Sequence, residues 1–191
     1  MARPLASGKP ARPLSQTEVD RVLAVARGTN ERDYILLSVL FYTGLRIGNA
    51  ASLKVADLLK YGRVVESFTL VKQEMKGKRS HRVYVNEKLA KILRPYLLSL
   101  PQEQEYLFPS RNGKTHLNKN YASALVRAVF EKAGIDEPSH AARKTFATRL
   151  AVDKGASIVV VSALMGHKNI ATTQRYVVAN EVSLAGAVNL L

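Results

Sequence analysis

The longest apolar run in the chain is YILLSVLFY, residues 34–42, followed at once by Thr43 and Gly44. Nine residues fall far short of the roughly 20 that a membrane-spanning helix needs. Within NERDYILLSVLFYTG the run reads as a buried helix stopped by a glycine, and a helix with no polar face has to be covered by other elements. A chain of 191 residues is long enough to supply them. With 47% hydrophobic and 23% charged residues, the composition is that of a globular chain and not a disordered one.

The surrounding pattern is mostly helical. LSQTEVDRVLAVARG offers Ser15 as an N-cap with Glu18 three residues later, a capping box, and Gly28 as a stop. LRIGNAASLKVADLL reads as a short helix and a turn. Residues 63–72 and 79–85 are rich in Val, Phe, Thr and Tyr and are joined by QEMKGK, which predicts one β-hairpin with an exposed basic turn. Further helices are expected at about 86–99, 118–134, 141–154, 157–165 and 169–178. Residues 1–13, rich in Pro, Arg, Ala and Gly, read as a flexible basic arm. The expected fold class is mainly α with a small antiparallel β-sheet, an α+β domain over 14–180, with a short apolar tail at 181–191.

Charge narrows the partners. Lys and Arg number 29 against 15 Asp and Glu, a formal charge of +14. Such an excess favours a polyanion through counterion release, with nucleic acid first and an anionic membrane surface second. The membrane reading weakens because the cations are scattered instead of forming one broad helix face. There is no cysteine, hence no disulfide scaffold and no thiolate zinc site. The first fifteen residues carry no apolar core of a signal peptide, so a soluble intracellular protein is expected.

Four histidines, His81, His116, His140 and His167, show no metal-ligand spacing, and the acids are sparse, which argues against a two-metal nuclease. In SHAARKTFATRL, residues 139–150, His140 and Arg143 share a face if the segment is helical. Together they suit a phosphodiester, because a guanidinium forks onto two oxygens. Read alone, the pair fits a solvated basic face or a simple phosphate contact better. Arg46, just after Gly44, suits stabilisation of a phosphorane, or an arginine snorkelling from a helix end. Lys76 and Lys78 in MKGKRSHRVYV sit at the hairpin turn, where a lysine can protonate a departing 5′-oxygen or merely touch phosphates. In MGHKNIATTQRYV, residues 165–177, His167 precedes Tyr176 by nine positions in a segment too polar for a core element. Tyr176 is a candidate nucleophile.

Taken together, TGLR at 43–46, SHAARKTFAT at 139–148 and LMGHKNIATTQRY at 164–176 resemble the signatures of the tyrosine recombinases, the phage-integrase family. Their order and separations fit as well. The resemblance implies a catalytic-domain fold in which Arg46 and Arg143 clamp the scissile phosphate. It makes His140 and His167 supports for proton transfer and phosphate binding, Lys76 (with Lys78 as fallback) the hairpin lysine, and Tyr176 the residue that forms a 3′-phosphotyrosine. Asn49 stands where many members carry an acid, and Lys144 where a His is common. The family's N-terminal core-binding domain finds no room in this chain, which therefore resembles the short fimbrial-switch type, or else a truncated catalytic domain.

The resemblance thus implies a site-specific recombinase that cuts and rejoins double-stranded DNA with neither metal nor cofactor. It would act in the cytoplasm at the nucleoid as a homo-tetramer on two DNA sites, with room for accessory DNA-bending proteins and no membrane. Two alternatives share the fold: a non-catalytic DNA-binding regulator, and a relaxing enzyme like the type IB topoisomerases.

Overall fold

The computed structural model describes residues 11–72, 79–167 and 169–174. In chain order its elements are α1 Gln16–Thr29, α2 Glu31–Thr43, α3 Ile47–Ala51, α4 Val55–Leu58, β1 Leu59–Lys60, β2 Arg63–Val64, β3 Ser67–Lys72, β4 Arg79–Tyr84, α5 Glu87–Ser99, α6 Lys119–Lys132, α7 His140–Thr148, a π-helical turn Arg149–Asp153, α8 Ile158–Leu164 and α9 Ile170–Gln174. The fold is mainly helical with small antiparallel sheets, as expected. Among the described residues no helix is long and apolar enough to cross a membrane.

The apolar helix α2 is the hub. Helices α1, α3, α5, α6 and α7 all pack against it. Ile35, Leu36, Leu37, Val39, Leu40 and Phe41 are each almost wholly buried, and Phe41 stacks on Phe130 of α6 at 6.2 Å. Each such side chain contributes about 1.5–3 kcal/mol of transfer free energy. Around this hub the helix ends are specified locally. The capping box at α1 forms as predicted: Ser15 Oγ accepts from the Glu18 backbone N–H, and the Glu18 carboxylate accepts from that of Ser15. Asn86 caps α5, Asn118 caps α6 and Ser157 caps α8 with their side-chain oxygens. Ahead of α1, Arg12 pairs with Glu18 at 2.6 Å, and its backbone N–H donates to the buried Glu137. The Arg12 hydrogen bond holds the Glu18 carboxyl down at about 2.

Two expectations need correction. The first predicted strand is broken: Arg63–Val64 folds back on Leu59–Lys60, and the chain bends before β3 pairs with β4. Tyr61 and Gly62 make the tight turn, both with positive φ (51° and 71°), the geometry of a two-residue hairpin. The helix expected over 141–154 changes character after Thr148, where Lys154 N–H bonds Arg149 C=O in an i→i+5 pattern. Such a π turn inserts one residue, which rotates the next segment relative to α7. The QEMKGK turn and everything after Gln174 lie outside the described residues.

On the β3–β4 hairpin, side chains alternate as a half-buried sheet requires. Phe68, Val83 and Val85 are buried and Leu70 packs on the core, while Arg82 and Tyr84 face outward. His81, opposite Leu70 in the register, falls on the inward face.

Candidate active site

A small satellite core, separate from the main one, sits beneath the site. Ala147, Val161 and Met165 are buried together, with Phe146, Leu150, Ala151 and Ala156 packed against them, so α7, the π turn and α8 are held as one unit. That unit meets α2 at Gly44. Gly44 caps α2 in the left-handed region (φ 64°), and any Cβ there would intrude on the Phe146 ring. Only glycine satisfies both demands.

The end of α8 fixes His167. Gly166 is left-handed (φ 60°). Its N–H bonds Ala163 C=O at 3.0 Å, and the His167 N–H bonds Ser162 C=O at 3.1 Å, the paired bonds of a Schellman motif. Two carbonyls of the last turn remain. Met165 C=O accepts from Arg143 Nη2 at 2.7 Å, and Leu164 C=O accepts from His81 Nε2 at 2.9 Å. Every C-terminal carbonyl that the helix cannot satisfy itself is thus taken up, two of them by charged or titratable side chains from other elements.

Arg143 is 3% exposed, a buried cation that requires several acceptors. Nη1 donates to the Gly44 carbonyl, and Nη2 donates to Met165 C=O and to His167 Nε2, the latter at 2.9 Å. Since Nε2 accepts, the proton of the neutral His167 ring lies on Nδ1, which donates to Thr173 Oγ1 at 2.8 Å. Thr173 is fully buried on α9. The result is a line, Gly44–Arg143–His167–Thr173, that ties α2, α7, the α8 turn and α9 together. His140 starts α7 one turn ahead of Arg143, and Arg46 stands exposed at the start of α3.

The electrostatics show that these groups share one field. His167 is pushed down to about 4, first by desolvation, then by Arg143, Arg46, His140 and His81. His140 is lowered by desolvation and then by Arg143, Arg46 and Lys144, but the residue is solvent-exposed, so the neighbouring cations act on it more surely than burial does. Desolvation also lowers His81; its bond to Leu164 opposes that, and Arg143 and Arg46 add to it. The imidazoles are therefore neutral near pH 7 beside two guanidiniums, Arg143 and Arg46. A site that repels protons this way is built for an anion. Among the described residues no group of three His, Asp or Glu side chains is placed to hold a metal ion.

These lowered values make stability depend on pH. In the folded state the histidines bind protons less readily than in the unfolded chain, whose histidines titrate near 6.5. The contribution of His167 to stability is complete above about pH 6.5 and is lost as pH falls toward 4; His81 and His140 act in the same direction. The melting temperature should be level between pH 7 and 8 and decline from about 6.5 downward. A melting temperature that holds or rises between pH 6.5 and 4.5 would contradict the burial of neutral rings.

Of the six residues predicted for the site, the structure brings Arg46, His140, Arg143 and His167 into this one cluster. Lys76, its fallback Lys78, and Tyr176 lie outside the described residues. Sequence reading missed His81, Thr173 and the Gly44 carbonyl. His81 had a signal: it alternates with Val83 and Val85, and a histidine on the buried face of a strand needs a partner. Thr173 and the carbonyl had none, because both act through contacts that only the folded chain creates.

Known proteins match both sequence and fold. The model of the phage integrase family matches residues 12–182. A tyrosine recombinase of Pseudothermotoga lettingae is 34% identical over 184 residues, 93% of this chain and 60% of its own length. The tyrosine recombinase XerA of Thermococcus kodakarensis is 32% identical over 165 residues, 85% of this chain and 56% of its own. The chain thus spans little more than half the length of these curated relatives. A crystal structure of XerA recombinase superposes with a TM-score of 0.75 at 29% identity, over 98% of this chain and 66% of that one. The fold is also shared with XerH site-specific recombinase bound to its difH substrate, at TM-score 0.72, 22% identity and coverage of 94% and 53%. With the family model running from the first pinned arginine to beyond the last described helix, and XerA sharing the fold throughout, the chain belongs to the phage integrase family, the tyrosine recombinases.

Proposed function

We propose that this chain is a DNA strand transferase that cuts and rejoins a duplex at a specific site through a 3′-phosphotyrosine. The observation that carries the reading is the buried Arg143, held by two backbone carbonyls and His167, with neutral imidazoles and Arg46 sharing its field. Positive charge held in place before substrate arrives is what a phosphoryl-transfer transition state requires, since the donors need no reorganisation as charge develops.

In the reaction, Tyr176 Oη attacks the scissile phosphorus as the bond to O5′ breaks. The tyrosine loses its proton, and the departing 5′-oxygen gains one from the hairpin lysine, Lys76. A 5′-hydroxyl from the partner strand then attacks the phosphotyrosine and reverses the exchange. The ester bond is conserved in the covalent link, so neither ATP nor metal enters the balance. Arg46 and Arg143 hold the non-bridging oxygens. His167, neutral at pH 7, orients the guanidinium through Nε2, and His140, also neutral there, takes up the proton that Tyr176 loses.

The substrate in this reading is double-stranded DNA, bound by a chain of charge +14. The assembly is a cyclic tetramer on two sites, with the apolar tail 181–191 docking on a neighbouring protomer, and the setting is the cytoplasm at the nucleoid. XerH bound to its difH substrate supports DNA as the partner by analogy of fold.

A nicked suicide duplex tests it, with sites chosen from DNA flanking the chain's own gene. The expected result is a detergent-resistant protein–DNA adduct that forms in excess EDTA and yields recombinant joints when two sites are supplied. Binding without an adduct would make the chain a regulator. An adduct that relaxes supercoils without recombinant joints would make it a relaxing enzyme.

A further inference from the structure

The β-hairpin histidine, His81, is absorbed by neither the family's signatures nor the reaction above. Its ring is half-buried on the inward face of β4, Nε2 bonds Leu164 C=O at 2.9 Å, and the ring lies against Gly166. A Cβ at Gly166 would come within 2.9–3.0 Å of three of its ring atoms, so ring and glycine are fitted to each other. A carbonyl can only accept, so Nε2 carries the proton and the neutral ring is the Nε2–H tautomer. The groups facing this ring are Arg143, Arg46 and His167, the turn backbone at Ala163 and Leu164, and, from its own sheet, Leu70. Among the described residues no carboxylate is placed against it.

We infer that His81 is a positioning residue for His167: it clamps the α8 turn by holding the Leu164 carbonyl and covering Gly166, one residue before the imidazole that orients Arg143. The fate of the turn's carbonyls carries this. Of the last four, Ser162 and Ala163 are closed by the Schellman bonds, Met165 by Arg143, and Leu164 by His81. Without His81 the turn has a part-buried acceptor left to water, and Gly166 has open space where a ring now sits. The turn would then sample other geometries, and the bonds from His167 to Arg143 and Thr173 would loosen with it. The inference rests on the reading of His167 as part of the active site. The clamp itself is visible without DNA.

The test uses the full chain with three substitutions. His81→Gln places an amide N–H where Nε2 stands; His81→Asn carries the same amide one bond short; His81→Leu keeps bulk and removes the donor. Nitrogen-15 spectra of the histidine rings report tautomers in the DNA-free protein. In the wild type, His81 should show the Nε2–H form and His167 the Nδ1–H form. In the Leu and Asn variants the His167 signals should move toward a mixed tautomer with a higher pKa, and single-turnover cleavage of the suicide duplex should slow about tenfold, the effect of one part-buried hydrogen bond lost from the turn. His81→Gln should restore both readouts most of the way, while DNA binding stays level across the set. The inference is overturned if His167 is spectroscopically indifferent to His81→Leu, or if Gln and Asn behave alike. Should the variants fail to fold, the wild-type spectrum decides: a His81 ring with its proton on Nδ1, or one titrating freely near 6.5, overturns the clamp. If the wild type cleaves no DNA, the proposed function falls, and the tautomer readout still judges the clamp.

Discussion

Replacing Arg143 with alanine should slow covalent cleavage by at least about a thousandfold, the upper end of what one transition-state donor costs. A buried guanidinium supplies more than one donor and a full charge, so the loss should not be smaller. The same substitution must also destabilise the protein. Gly44 and Met165 would each lose a buried partner, at about 1–3 kcal/mol apiece, and His167 would lose the donor to Nε2. Arg143→Lys separates the two effects. It keeps the charge, but an ammonium cannot fork to carbonyls on α2 and α8 while presenting to a phosphate. The lysine variant should melt closer to the wild type than the alanine variant does, and yet cleave about a hundredfold more slowly or worse. Wild-type rates from a well-folded Arg143→Lys would reduce Arg143 to a structural strut.

Tyr176→Phe should produce no adduct at all, with DNA affinity nearly unchanged. Only one oxygen is removed, and it is the atom that attacks. No other group in the proposed reaction can form the covalent intermediate, so the loss is qualitative where the arginine loss is a rate. Binding rests on phosphate contacts spread over the basic surface, and these do not involve that oxygen. Gel-shift titration beside denaturing electrophoresis measures both quantities on one sample. A persistent adduct would transfer the nucleophile to another residue.

How much of the fold and the site is legible in the sequence varies with the range of the interaction responsible. The caps at Ser15, Asn86, Asn118 and Ser157 and the stop at Gly44 are local, and the capping box at Ser15 is readable from spacing alone. Helix α2 reads as buried because no face of YILLSVLFY is polar. The break in the first strand escapes such reading since Tyr61 is an unusual residue for positive φ, and only the Gly62 beside it hints at a turn. The π turn at Arg149–Asp153 escapes it because its pattern of apolar residues continues that of α7; what distinguishes it is a bond between backbone atoms. In the candidate site, Arg46, His140, Arg143 and His167 stand out through the resemblance of their three motifs to the tyrosine recombinases; type and spacing alone leave a solvated basic surface open. The reason Arg143 can be buried cannot: its acceptors are carbonyls of Gly44 and Met165, 99 and 22 residues away, and a carbonyl leaves no mark in a sequence. His81 is overlooked for a related cause. It lies in a strand that the chemistry does not use, and only the folded register brings it to Leu164.

The central claim, that Tyr176 becomes esterified to a 3′-phosphate, has a direct measurement. Arg175 precedes Tyr176 and no Lys or Arg lies within 176–191, so a protein of this sequence gives trypsin residues 176–191 as one peptide. The wild-type protein is reacted with the suicide duplex, the adduct is digested with trypsin and nuclease, and the nucleotide-bearing peptide is identified by mass spectrometry while the cut DNA end is labelled. The nucleotide mass should sit on the peptide 176–191, joined through a 3′-phosphate, with a free 5′-hydroxyl on the other strand end. Nucleotide mass on any other peptide, or attachment through a 5′-phosphate, would contradict the account.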